Sequence, residues 1–229
     1  MKRNFLGLVV VIASIAGCRC ALAGDILDRI VATVNGHIIL QSDWENALRY
    51  TAFVDGRALG PVPTEERKAA LDRLIDQELL QEQLRSSDLP HVTQDDVRQR
   101  VQEIRSHHSG TETEQGWQDA LHRYGLTQDE LQRQVALDVD LMRLVDARLR
   151  PGVSIDSRSI ESYYNQELLP QLRQTGKGSV PLAEATPKIK ELLTQQKMNQ
   201  LLLAWLQNLR SGSQIQTEPM AEGSQGELR

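Results

Sequence analysis

The spacing of apolar residues changes once along the chain, from alternation near the start to a helical period afterwards. Ile30 to Val34 and His37 to Leu40 are short apolar or β-branched runs on either side of Asn35-Gly36. Asn-Gly suits both left-handed positions of a type I′ turn, so the stretch predicts a β-hairpin. Ser42-Asp43-Trp44-Glu45 follows, with Ser42 placed to cap a helix and Glu45 to return the bond. That helix is expected to reach about Val54. Asp55 to Pro63, with Gly56, Gly60, Pro61 and Pro63, breaks it as a loop.

Thr64-Glu65-Glu66 opens a long helix whose early acids complement the helix dipole. Leu71, Leu74, Ile75, Leu79 and Leu80 recur at three- and four-residue steps and form one stripe. Thr93-Gln94-Asp95-Asp96 starts a third helix with Val97, Val101 and Ile104 on one face. Trp117, Ala120, Leu121 and Tyr124 mark a short fourth, stopped by Gly125 as a left-handed cap. Thr127 to Glu130 is a capping box for a long helix carrying Leu131, Val135, Met142, Val145 and Leu149, broken by Pro151-Gly152.

A short helix around Ile160 to Glu167 and a polar linker over residues 171–182 precede the last helix, about Ala183 to Arg210. Its apolar positions are Ile189, Leu192, Leu193, Leu202, Trp205, Leu206 and Leu209. Pro187 lacks an N–H to donate, which predicts a kink or a later true start. Gln214 to Gln216 can add a short strand, and residues 218–229 read as a polar, disordered tail. The expected fold is mainly α: about six helices, a small N-terminal hairpin and a C-terminal strand.

The N-terminus changes the picture of where this domain works. Lys2 and Arg3 precede Phe5 to Gly17, thirteen residues without a charge. That run is shorter than the roughly 20 residues a membrane-spanning helix needs, and it has the flanks of a secretory signal. Ala21-Leu22-Ala23 offers small residues for cleavage, giving a signal peptide over 1–23 and a core over 24–217. Ile15-Ala16-Gly17-Cys18 also resembles a lipobox, so lipidation at Cys18 is a second processing route and stays open. Both cysteines, Cys18 and Cys20, lie in this region, which leaves no disulfide framework in the core. Removing residues 1–23 takes three basic residues and no acidic one from a formal charge of −5, leaving −8. That balance argues against nucleic acid as a partner, because neutralising phosphates requires clustered basic residues.

The order of elements resembles the SurA-type periplasmic chaperones and their PrsA and PpiD relatives. Asp28 to Asp43 is similar to the start of their mature chains, and Leu71 to Leu80 to the second helix. Val92 to Val97, Tyr124-Gly125-Leu126-Thr127, Ile155 to Tyr164 and Ala185 to Gln216 match later segments. The resemblance covers nearly all of residues 28–217. It implies a helical core built from an N-terminal part (28–170) and a returning C-terminal helix and strand (183–217). Full-length relatives insert parvulin prolyl isomerase domains between those parts. Here the interval is about Pro170 to Leu182, too short for a parvulin sheet, so isomerase activity is not carried over.

The resemblance thus implies a periplasmic, ATP-independent chaperone that binds unfolded outer-membrane or secreted polypeptides. The rival reading is an envelope assembly or scaffold factor that binds one folded partner, with a membrane connection only if Cys18 is lipidated. Few aromatics exist to serve either role. Trp44, Trp117, Tyr124, Met142, Tyr163 and Tyr164 are the candidate peptide-binding residues, through ring faces and thioether plasticity. Trp205 belongs to its helix's stripe and is assigned to the core. Oligomeric state and client identity are not readable from these residues.

Catalytic chemistry finds no support in the pattern. His107-His108 near Glu112, Glu114 and His122 lack an i, i+4 ligand pair and read as solvated residues rather than a metal site. Asp95-Asp96 and Glu65-Glu66 fall in first helical turns, where capping explains them. No nucleophile elbow and no cysteine nucleophile occurs in the core, and Gly176-Lys177-Gly178-Ser179 lacks phosphate-loop spacing. The expectation is no enzyme, no cofactor and no metal.

Overall fold

The computed structural model describes residues 28–176 and 178–218. The expected signal segment, Cys18 and Cys20, and the tail beyond Glu218 lie outside the described residues. The chain runs β1 (Ile30–Val34), β2 (His37–Leu40), α1 (Gln41–Val54), α2 (Thr64–Arg85), α3 (Gln94–Ser106), α4 (Glu114–Arg123), α5 (Gln128–Leu149) and α6 (Ser157–Tyr163). A π-helical turn (Tyr164–Leu168), α7 (Leu169–Gln174), α8 (Leu182–Ser211) and β3 (Ile215–Thr217) complete it. The fold is mainly α, as the periodicity predicts.

The hairpin forms where Asn-Gly places it. Asn35 and Gly36 adopt φ of 50° and 88°, and Val34 faces His37 across the turn. The sheet order is β2-β1-β3, with β3 antiparallel to β1 and Val34 opposite Ile215. The N–H of Glu218 still donates to Val31 O at 3.0 Å, so pairing runs one residue into the expected tail.

Helix starts follow side-chain chemistry at Thr93 and Thr127, where capping boxes are present, the one at Thr127 as predicted. Gly125 takes the left-handed conformation (φ 63°) after α4, as expected. The start of α1 differs from expectation. Gln41 is already helical, and the carboxylate of Asp43 accepts the Leu40 N–H at 2.9 Å. Ser42 is instead bound by the carboxylate of Asp28, through its N–H and its hydroxyl. A tertiary partner outcompetes the local cap.

Among the described residues, four apolar clusters make the interior. The hairpin, α1 and α2 enclose Val34, Trp44, Leu48, Leu71, Ile75 and Leu79, and Leu209 and Ile215 return to pack on them. Phe53, at 0% exposure, is the hub of a second cluster with α3, α4 and α5. Its ring stacks on His108 at 4.4 Å between centroids and meets Trp117 at 5.6 Å and Tyr124 at 5.2 Å. His108 is therefore a packed residue, not the solvated one expected. Burial of its imidazole lowers its pKa.

A third cluster joins Leu80 of α2, Leu141 and Leu144 of α5 and Trp205 of α8. Trp205 is core, as periodicity indicates. Arg210 then bonds Asp76 Oδ1 at 2.5 Å and the Asp72 carbonyl at 2.8 Å, clamping α8 to α2. Helix α8 thus packs in the same apolar clusters as α2 and α5. The stripe of α5 passes through Leu141 and Leu144, and Met142 is turned out at 68% exposure.

The remaining cluster holds Ile160, Ala185 and Ile189, with Tyr163 and Tyr164 half-buried beside them. Helical structure here runs on to Gln174 through the π turn, past the expected end at Glu167. The expected linker contracts to residues 175–181. α8 begins at Leu182, before Pro187, so no later start occurs. The Thr186 hydroxyl donates to Leu182 O at 2.7 Å inside this turn.

Candidate functional site

Helix α1 leaves the hairpin at Gln41 and crosses α2, while α5 packs beside both. Their meeting leaves a cleft of about 380 Å³ bordered by β2, α1, α2 and α5. Apolar surface comes from Ile38, Ala47, Leu74, Leu126 and Leu137. Side-chain amides come from Asn46, Gln77, Gln81 and Gln134. Gln77 and Gln81 stand one helical turn apart on α2. Such a lining suits a chain carrying its own amides and apolar side chains.

Two acidic groups, Glu78 buried and Asp138 half-buried, anchor the cleft walls. Glu78 is only 5% exposed, yet it accepts from Arg85 Nη2 at 2.8 Å and lies 3.5 Å from His37 Nε2. Loss of one partner there would leave a buried carboxylate short of donors, a costly state. Tyr50 Oη donates to Asp138 Oδ2 at 2.5 Å, joining α1 to α5, and Gln134 Nε2 donates to Asp138 Oδ1 at 3.3 Å. Burial raises the Asp138 pKa, outweighing the opposing hydrogen bonds and the charge of Arg100. Burial, then the Asp138 charge, also raises the Tyr50 pKa. At the rim, hydrogen bonds from Thr127 lower the Glu130 pKa.

The six candidate binding residues do not converge on one site, although Trp117 and Tyr124 meet on Phe53 and Tyr163 and Tyr164 share a cluster. Trp44 and Trp117 are 4% and 2% exposed and belong to different core clusters. Their indole N–H groups donate to Arg67 O and Gln128 Oε1, so neither ring is offered at the surface. Tyr124 packs edge-on to Phe53 and donates to Arg57 O at 2.8 Å. Tyr163 and Tyr164 sit in the α6–α8 cluster, with the Tyr164 hydroxyl donating to Val180 O. Only Met142 of the six is classed as exposed, and none lines the cleft. In this aromatic-poor chain the large indoles of Trp44 and Trp117 fill interior volume.

Sequence reasoning missed Asn46, Gln77, Gln81 and Gln134. The one local signal was Gln77-Glu78 interrupting the apolar stripe between Ile75 and Leu79. Among the described residues, no three His, Cys, Asp or Glu side chains are grouped to hold a metal ion. Among them, too, no helix is long and apolar enough to cross a membrane.

Comparison with known proteins agrees with the fold. Chaperone SurA of Chromohalobacter salexigens is 26% identical over 170 residues, which cover 71% of this chain and 37% of that protein. The chain therefore spans well under half the length of that curated relative. The profile described as SurA-like N-terminal domain matches residues 2–144, from before the hairpin to near the end of α5. On that match, the chain belongs to the SurA-like N-terminal domain family.

Proposed function

We propose that this chain is a periplasmic, ATP-independent chaperone that holds unfolded outer-membrane or secreted polypeptides without isomerising prolines. Family membership carries this reading, and the similarity to a protein named Chaperone SurA supports it. The cleft adds a physical basis. An unfolded client exposes main-chain amides and scattered apolar side chains, and the lining presents both complements within one concavity. Each contact is weak on its own: a net hydrogen bond contributes about 1 kcal/mol and apolar burial about 25 cal/mol per Å². Holding therefore needs no energy input and stays reversible.

The reading without isomerase rests on the short segment 175–181 between α7 and α8, at the place where relatives are expected to carry that domain. Light scattering of an unfolded β-barrel protein, diluted from urea with and without the chain, tests the holding role. Suppression without nucleotide, with no acceleration of cis–trans exchange in a Xaa-Pro peptide, is the expected pair of results. Undiminished aggregation, together with stoichiometric capture of one folded envelope protein, would favour the assembly-factor reading instead.

A further inference from the structure

Among the described residues, the sheet's three strands leave two edges, and one of them borders the cleft. β1 uses its odd-numbered residues to pair with β3: the Asn35 N–H donates to Gln214 O at 2.9 Å, and Val31 O accepts from Glu218 at 3.0 Å. Its even-numbered residues therefore face β2, where Val34 is opposite His37. The next residue on β2, Ile38, must turn its N–H and C=O the other way, off the sheet. His37, Ile38 and Ile39 all border the cleft, so this open edge looks into it. One position further out, the Leu40 N–H is already taken by Asp43.

The opposite wall matches in spacing. Gln77 and Gln81 are half-buried on the cleft, and neither side-chain amide bonds to another described residue. Four helical residues advance about 6 Å. An extended chain repeats its same-side groups every two residues, about 6.6 Å. A strand lying in the cleft can thus pair with Ile38 on one side and address Gln77 and Gln81 in step on the other.

The charges limit what that strand can be. Asp43, Glu78 and Glu130 line the cleft against a single guanidinium, Arg133, so an acidic segment is disfavoured. Resting on the chaperone reading, we propose that the chain recognises an extended, uncharged-to-basic segment by strand addition to the free edge of β2 at Ile38. Gln77 and Gln81 hold the segment's far side. Alternating apolar and polar sequence, which keeps a segment extended, is the preferred class.

Fluorescence anisotropy of the full chain tests this with a labelled peptide of alternating valine and threonine, lysine at each end. Two further peptides carry N-methyl groups on all valines or on all threonines, blocking donors along one edge only. The expected result is retained binding by one methylated form and loss of about tenfold or more by the other. Ile38→Pro removes the outward N–H without touching the β1 ladder and is expected to match that loss, while Ile38→Thr binds normally. If Ile38→Pro fails to fold, judged by circular dichroism, the methylated pair on the wild-type chain decides. Equal binding by both methylated forms overturns strand addition and leaves the chaperone reading standing. A wild-type chain that ignores the peptide but still binds unfolded protein does the same. No binding of peptide or unfolded protein overturns both. A wild-type dimer that Ile38→Pro dissociates, with methylation immaterial, assigns the edge to a second copy and overturns the proposal.

Discussion

Asn35 and Gln214 bind each other twice, although nearly the whole domain lies between them in sequence. The Asn35 N–H donates to Gln214 O at 2.9 Å, and the Gln214 N–H donates to Asn35 Oδ1, also at 2.9 Å. The remaining amide nitrogen of Asn35 reaches Glu82 Oε2 at 2.7 Å and Ser213 Oγ at 3.2 Å. One turn residue thus ties the hairpin, α2 and the return of the C-terminal strand. Asparagine serves because it tolerates the left-handed φ of 50° while its short amide bonds outward.

The clasp predicts a specific pair of variants. Asn35→Ala should lose about 1–3 kcal/mol, combining lost hydrogen bonds with strain at positive φ. Asn35→Gly loses the same bonds without that strain and should fall between alanine and wild type. Urea denaturation of the three proteins checks the order. Equal midpoints for all three would contradict the role assigned to Asn35.

Helix α8 is predicted to be indispensable to the N-terminal part. It brings Trp205, Leu202, Leu206 and Leu209 to the cluster with α2 and α5, and it delivers β3 to the sheet. Removing residues 183–217 should abolish the cooperative thermal transition of the rest. Trp205→Ala alone should cost about 3–5 kcal/mol. A truncated chain that melts like the parent would show that the two parts fold independently.

Two half-buried groups give stability opposite pH dependences. The His108 pKa is lowered by burial, so its contribution is present above the ordinary value of 6.5 and lost as pH falls through the folded value. His108→Phe keeps a ring on Phe53 and removes the titration, so its stability should fall less than wild type between neutral pH and pH 5.

For Asp138 the sign reverses. Its pKa is raised by burial, so its contribution is present below the ordinary value of 3.8 and lost as pH rises through the folded value. Asp138→Asn keeps an acceptor for Tyr50 and cannot ionise. Its stability relative to wild type should improve from acid to neutral pH. Chemical denaturation at a series of pH values reads both variants, and parallel curves for variant and wild type would refute either assignment.

Local chemistry makes much of this fold legible in the sequence. Asn35-Gly36, Thr93 with Asp96, Thr127 with Glu130, and Gly125 act within a few residues of themselves, so their effects are visible in sequence. Trp205 was legible because its helix repeats regularly. What escaped depends on partners distant in sequence. Ser42 looked like a cap and is held by Asp28. His108 looked solvated and lies on Phe53. The cleft was the least legible part, since its amides are gathered from three helices, α1, α2 and α5, that are far apart in sequence. Scarce aromatics drew attention to Trp44 and Trp117, whose size made them interior residues.

In the proposed function, this core binds unfolded chains through the amide-lined cleft. Fluorescence anisotropy of a labelled, urea-diluted outer-membrane β-barrel protein tests it most directly, with a folded soluble protein as control. Wild type should bind the unfolded chain at about micromolar or tighter affinity and ignore the control. The double variant Gln77→Ala, Gln81→Ala, at half-buried positions outside the apolar clusters, should keep its denaturation midpoint and bind several-fold more weakly. Undiminished binding by that variant, or equal binding of folded and unfolded proteins by wild type, would contradict the account.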